Sequence, residues 1–128
     1  MPHVTILYAG LLGIISLVLS FLVGNIRGKA GVSIGDGGNK DLLLAMRRQA
    51  NFVEYVPLAL ILIGFLEMNG VSGTVIHTMG AVLVISRIAH AQGLRADNMQ
   101  GIGRLIGAAG TALLTLVASV WCIVAYFV

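Results

Sequence analysis

The residues of this sequence best suited to chemistry are polar and charged side chains placed in or beside long apolar runs. Arg47, Asn51 and Glu54 are spaced so that their side chains share one face of an α-helix. Charged groups are costly inside a bilayer, so they usually face a bundle interior, a cavity or one another. This face of a predicted helix is therefore the first candidate for a binding site.

The composition indicates an integral membrane protein. Of the 128 residues, 58% are hydrophobic and 10% are charged, and at this length we predict a single domain, residues 1–128. The net charge of +3 does not indicate a nucleic-acid partner, because the basic residues lie at helix ends and inside helices rather than in one patch. The single cysteine, Cys122, has no metal-ligand spacing around it, so no metal site is predicted.

Four stretches are long and apolar enough to cross a bilayer, which takes about 20 residues of helix. We predict an all-α fold, a bundle of four membrane-spanning helices, at residues about 4–23, 42–67, 74–92 and 101–128. The glycine-rich segment between the first two helices, from Asn25 to Lys40, is predicted to be a loop. Glu67 is expected to be a solvated helix end at the outer boundary of the membrane.

The loops differ in basic residues. Arg27, Lys29 and Lys40 lie in the first loop and Arg95 lies in the third, whereas the second has no lysine or arginine. The positive-inside rule then places the first and third loops in the cytoplasm and both termini outside.

Polar side chains on three of the helices are predicted to lie at a similar depth, in the cytoplasmic half of the membrane. They are Arg47, Asn51, Glu54, Arg87, His90 and Arg104. Glu54 has Arg87 and Arg47 as candidate partners, but arginines still outnumber the one glutamate in this set. We expect an anionic ligand that enters from the cytoplasmic side to balance the remaining positive charge.

The segment from Arg47 to Pro57, followed by a leucine-rich run, resembles the signature of the membrane-associated proteins in eicosanoid and glutathione metabolism (MAPEG). That family includes the microsomal glutathione transferases, leukotriene synthase and microsomal prostaglandin E synthase. Arg87 and His90 at the end of the third helix, and Arg104 at the start of the fourth, match the family pattern as well. The resemblance covers nearly the whole chain.

The resemblance implies a homotrimer with glutathione, the co-substrate, bound between neighbouring subunits near the cytoplasmic face. By position, the residues that match family residues for glutathione binding are Arg27, Arg47, Gln49, Asn51, Glu54, Tyr55, Arg87 and His90. Arg104 resembles the family arginine that activates the thiol, and the resemblance therefore implies that Arg104 is the catalytic residue. Arginines and a glutamate complement the two carboxylates and the ammonium of glutathione, and a guanidinium favours the thiolate.

Two positions differ from eicosanoid-metabolising members of that family. Leu94 stands where some members carry a tyrosine, and Ala50 stands where the prostaglandin synthase carries an arginine. The identity of the natural thiol substrate, glutathione or another thiol, therefore stays open.

We predict a trimeric inner-membrane enzyme, surrounded by membrane lipids, that conjugates or reduces lipophilic electrophiles with glutathione, as detoxifying transferases or peroxidases do. One alternative is a non-catalytic membrane oligomer whose polar cluster serves assembly or binds an anionic lipid. A second alternative is a small four-helix drug exporter. Such an exporter needs a carboxylate in its first helix for proton coupling, and residues 4–23 contain none.

Overall fold

The computed structural model describes residues 1–94 and 101–127, and these residues form four α-helices. In chain order they are α1 His3–Ala30, α2 Lys40–Met68, α3 Gly73–Gly93 and α4 Ile102–Phe127. All four are long and apolar enough to cross a membrane. The prediction of an all-helical chain with four potential spans is therefore confirmed. Arg95, on which part of the orientation argument depends, lies outside the described residues.

The first helix is longer than its apolar run suggested. The segment Asn25–Ala30, which we expected to be loop, continues α1 beyond Val23. The helix continues because Val23 and Ile26 belong to a small hydrophobic cluster with the first turns of α2. Packing against α2 therefore stabilises the additional turns of α1. Gly31 then ends the helix with φ of 65°, in the left-handed region that glycine adopts without strain.

The packing of the helices is uneven. The pair α2 and α3 lies between the other two, since α1 contacts α2 and α3, and α4 also contacts α2 and α3. The main core comprises Leu12, Leu19, Phe52, Val56, Ala59, Ile63, Leu66, Ile76, Met79, Leu83, Leu114 and Ala118. This arrangement leaves two distinct lateral surfaces, one beside α1 and one beside α4.

Glycines allow α3 and α4 to approach closely. A Cβ atom added to Gly107 would lie 2.4 Å from the carbonyl oxygen of Ser86, and one added to Gly93 would lie 2.0 Å from the backbone nitrogen of Arg104. Small residues at helix contacts are typical of membrane bundles, because they bring the two backbones together. The close approach puts the backbone carbonyl of Gly107 within reach of side chains on α3.

Glu67 is not the solvated helix end that we expected. Its carboxylate accepts hydrogen bonds from the Val4 N–H at 2.8 Å, the Thr5 N–H at 2.8 Å and the Thr5 hydroxyl at 2.6 Å. The residue before α1 provides no side-chain cap, so the carboxylate supplies the acceptors that the first N–H groups of the helix need. The last turns of α2 therefore fix the start of α1.

Candidate functional site

Arg87 is the central residue of the polar cluster. It is only 2% exposed, although its charge requires compensation when it is taken out of water. Its Nη1 donates to Asn51 Oδ1 at 2.7 Å, and its Nη2 donates to the carbonyl oxygen of Gly107 at 3.1 Å. One guanidinium thus joins α2, α3 and α4.

The acceptor on α4 depends on the local sequence. Gly107 lacks a Cβ atom and lies directly against the backbone of α3 near Ser86 and His90. The Gly107 carbonyl also accepts a hydrogen bond from the Thr111 hydroxyl at 2.9 Å, one turn further along α4. This carbonyl can serve two donors because it has two lone pairs.

The hydrogen bonding of Arg87 is incomplete. Within residues 1–94 and 101–127, its Nε is buried and has no hydrogen-bond partner. A buried donor on a charged group costs free energy unless it finds an acceptor. The Nε–H of this guanidinium can thus donate one more hydrogen bond, to an anionic or carbonyl oxygen on that side.

Two adjoining cavities open beside this cluster. The first, of about 300 Å³, is lined by Asn51, Tyr55, Arg87, Leu105, Ala108, Ala109, Thr111 and Ala112. The second, of about 360 Å³, is lined by Gly101, Arg104, Leu105 and Ala108. Leu105 and Ala108 line both, so the cavities are neighbours along the same face of α4. We call the pair of cavities, with their lining residues, the α2–α4 cleft.

The α2–α4 cleft combines cationic and hydrogen-bonding groups with apolar walls. Arg87 and Arg104 offer guanidinium groups, Asn51 offers an amide and Tyr55 a phenol. Guanidinium groups bind carboxylates and phosphates through charge-assisted hydrogen bonds. The cleft can therefore hold a small anion that also carries apolar parts.

The structure brings together part of the set predicted from the sequence. Asn51, Tyr55 and Arg87 line one cavity, and Arg104 lines its neighbour. His90 is buried on α3, where it packs against the backbone of α4 rather than lining the cleft. The residues that line the two cavities thus come from α2, α3 and α4.

Other predicted residues lie elsewhere in the protomer. Gln49 faces α1, where its Nε2 donates to the hydroxyl of Ser20 at 2.7 Å. Arg27 is bonded to the loop that follows it, through the carbonyl oxygens of Val32 at 3.3 Å and Gly35 at 2.9 Å.

Arg47 and Glu54 are exposed on the surface of α2. Of the two partners considered for Glu54, Arg87 is bonded instead to Asn51 and to Gly107.

Sequence reasoning missed the contribution of Gly107 and Thr111. Both lie in α4, within the run of small residues from Gly107 to Ala112. The Gly-x-x-x-Gly spacing from Gly103 to Gly107 is typical of close helix contact. This spacing is the sequence signal by which this part of α4 could have been found. That a main-chain oxygen there meets an arginine is information that residue types do not carry.

Comparison with known proteins places the chain in a family. The model of the MAPEG family matches residues 5–124. The chain is 36% identical over 119 residues to inner membrane protein YecN of Escherichia coli strain K12, an alignment that covers 92% of this chain and 91% of that protein. YecN of Escherichia coli O6:H1 gives the same values. No solved structure matches the chain. With four helices able to span a bilayer, it is an integral membrane protein, and it belongs to the MAPEG family, as its central segment predicted.

Proposed function

We propose that this protein is a membrane-bound, glutathione-dependent enzyme, a transferase or a peroxidase, that acts on lipophilic electrophiles. The observation that carries the proposal is the buried guanidinium of Arg87, held by Asn51 and Gly107 beside a cleft that continues to Arg104. Membership of a family that includes glutathione transferases gives independent support.

The residues of the α2–α4 cleft fit the charges of glutathione. The peptide carries two carboxylates, which guanidinium groups bind well. Arg87 has a buried Nε without a partner in the described part of the chain, and the Tyr55 hydroxyl lies in the same cavity. Arg87, Asn51 and Tyr55 would therefore hold the backbone and one carboxylate of the peptide.

Arg104 is suited to stabilise a thiolate. It lies in the first turn of α4, where the helix dipole adds positive potential and favours a negative charge. A free cysteine thiol has a pKa of about 8.5, and nearby positive charge lowers that value. Because a guanidinium stays protonated, Arg104 would hold the sulfur by a charge-assisted hydrogen bond while it attacks the electrophile.

The apolar side of the cleft suits a lipophilic second substrate. Leu105, Ala108 and Ala112 present carbon atoms next to the polar groups, and α4 is largely exposed along its length. An apolar electrophile dissolved in the bilayer would reach the thiol sideways, without crossing water.

A trimer would complete the site. Arg47 and Glu54 are exposed on the protomer although α2 is a candidate span, and polar side chains facing lipid are costly. Contact with a second copy would cover them and would bring Arg27 and Gln49 of one subunit near the cleft of another. In this arrangement Arg47 and Glu54 also belong to the glutathione site, and His90, buried against α4, would support it from behind the cleft.

We propose an inner-membrane location with both termini outside and the first and third loops in the cytoplasm. The relative YecN is named an inner membrane protein. Lys29 and Lys40 flank the connection from α1 to α2, whereas residues 69–72, between α2 and α3, include no basic residue. This asymmetry follows the positive-inside rule.

The decisive experiment compares the wild type with Arg47→Ala and Arg104→Ala in detergent. Glutathione affinity is measured by calorimetry, and turnover is measured with a chlorodinitrobenzene-type electrophile. Arg47→Ala should weaken binding about tenfold, because it removes a charge-assisted contact. Arg104→Ala should leave affinity within a few-fold and lower kcat by about tenfold or more, because it removes a contact that strengthens as the thiolate forms.

Lys40→Ala is the matched control. It removes one positive charge at the start of α2, at an exposed position outside the cleft, and should change neither quantity. Equal affinity and equal rate in the wild type and both arginine variants would refute the assignment. A wild-type protein that neither binds glutathione nor conjugates the electrophile would favour the non-catalytic membrane oligomer.

A further inference from the structure

A second lateral surface carries a long apolar groove. It has a volume of about 630 Å³ and is formed by α1 and α3, with one side chain from α2. Its lining residues are Ile14, Ile15, Val18, Leu19, Leu22, Arg48, Ile88, Ala91 and Gln92. We call it the α1–α3 groove. It shares no lining residue with the α2–α4 cleft.

A polar pocket continues the α1–α3 groove at one end. It has a volume of about 420 Å³ and is lined by Ile26, Lys29, Ala30, Asn39, Asp41, Leu44 and Arg48. Along α1 the groove residues Ile14 to Leu22 come before the pocket residues Ile26 to Ala30, and Arg48 lines both spaces. The two spaces therefore lie end to end, apolar toward the middle of the bilayer and polar toward its edge.

The guanidinium of Arg48 is fixed at the junction. Its Nε donates to the carbonyl oxygen of Leu94 at 2.9 Å, and its Nη2 donates to the same oxygen. Leu94 is the C-cap residue of α3, directly after its last residue, Gly93. These two bonds hold the side chain in one place, and in the part of the chain that the structure describes they leave Nη1 available for another acceptor.

The polar pocket is lined by more positively charged than negatively charged side chains. Arg48 and Lys29 face a single carboxylate, that of Asp41. Asp41 lies in the first turn of α2, where the helix dipole already stabilises it. An additional anionic group in this pocket would thus meet two cations and only one negative charge.

We propose that the α1–α3 groove and the polar pocket bind one anionic phospholipid. An acyl chain lies in the groove against Val18 and Leu22, and the phosphate accepts hydrogen bonds from Arg48 and Lys29. The apolar groove matches the acyl chain of such a lipid, and the guanidinium held near the membrane edge matches its negatively charged headgroup. A zwitterionic lipid of the same chain length fits the groove but leaves the surplus charge of the pocket less well balanced.

The headgroup contact is tested by native mass spectrometry of the detergent-solubilised full chain. The protein is titrated with phosphatidylglycerol and with phosphatidylethanolamine of the same acyl chains. Arg48→Gln should reduce phosphatidylglycerol binding about tenfold, as expected for a lost hydrogen bond between charged groups, and should change phosphatidylethanolamine binding much less. Lys40→Gln, which removes a nearby charge outside the pocket, should leave both unchanged. Equal losses in the two variants would overturn the proposal in favour of unspecific surface charge.

The chain contact is tested by filling the groove. Val18→Trp should weaken phosphatidylglycerol binding, whereas Leu17→Trp, at an exposed neighbour on α1 that does not line the groove, should not. Unchanged lipid binding in Val18→Trp overturns the proposal. If that variant instead changes the oligomeric state, a second copy of the chain is the occupant.

Two further measurements distinguish a lipid site from a site for soluble anions and from a purely structural role of Arg48. Inorganic phosphate should not displace phosphatidylglycerol at similar concentrations, and displacement would identify the pocket as a site for soluble anions. Arg48→Lys retains the charge but not the paired contact with Leu94, so it should lose less lipid than Arg48→Gln. This variant and Val18→Trp keep the test decisive if Arg48→Gln fails to fold.

Discussion

Arg87 illustrates how one residue can serve stability and binding together. Its two terminal nitrogens are bonded within the protomer, to Asn51 and to Gly107, while its buried Nε has no partner among the described residues. Sequence spacing predicted that Arg87 and Asn51 belong to one polar cluster. It did not predict their direct contact, because Glu54, one turn from Asn51, was an equally reasonable partner for an arginine.

The contact between Asn51 and Arg87 predicts the behaviour of two variants. Asn51→Ala removes the acceptor of a buried guanidinium and should lower the free energy of unfolding by about 1–3 kcal/mol. Asn51→Asp supplies a charged acceptor at the same place and should lower it less. Thermal unfolding of the detergent-solubilised protein, followed by circular dichroism, measures both.

Asn25→Ala is the matched control for that pair. Asn25 is exposed on α1, and its side chain is not part of the cluster, so the substitution should have little effect on stability. If Asn51→Ala were as stable as Asn25→Ala, the contact with Arg87 would contribute nothing.

The helices position the polar side chains through contacts at their ends and through glycines. Glu67 ties the end of α2 to the first turn of α1, and Gly107 brings α4 against α3. Hydropathy indicated that these helices exist, but it placed the end of α1 at Val23 because the apolar run stops there. The helix continues because Val23 and Ile26 pack against α2, which is a tertiary effect.

The cap at the start of α1 predicts a loss of stability in Glu67→Gln. The amide keeps the shape of the side chain but has only one accepting oxygen and no charge, so we expect a loss of about 1 kcal/mol, typical of a weakened helix cap. Thr5→Val removes the hydroxyl bonded to the same carboxylate. Chemical or thermal unfolding of the single and double variants measures the effect.

The double variant distinguishes a shared contact from two independent ones. Because Glu67 and Thr5 bond to each other, the loss in Glu67→Gln combined with Thr5→Val should be smaller than the sum of the single losses. Additive losses would contradict the direct hydrogen bond.

The whole molecule has two different lateral surfaces, and each is assigned one role. The surface beside α4 holds the α2–α4 cleft with Arg87 and Arg104, which we propose as the thiol site. The surface beside α1 holds the α1–α3 groove with Arg48, which we propose as the lipid site. The exposed Arg47 and Glu54 on α2 are the reason to expect that copies of the chain associate.

The proposed trimer predicts the mass of the protein in detergent. The protein extracted in mild detergent should have three times the mass of one chain by native mass spectrometry or light scattering. Arg47→Leu combined with Glu54→Leu should shift the population toward smaller species, if these side chains meet partners in a neighbouring subunit. A wild-type protein that is monomeric at all concentrations tested would exclude a site built between subunits.

The sequence by itself determined the family and the four helices. Each of these depends on contiguous residues, because a membrane-spanning helix satisfies its own backbone hydrogen bonds and needs only sufficient apolar length. The tertiary structure alone decided which side chains meet, since rotation and close packing of the helices direct each residue to a neighbour. That is why Gln49 is bonded to Ser20 on α1 while Asn51, two residues later, is bonded to Arg87 on α3.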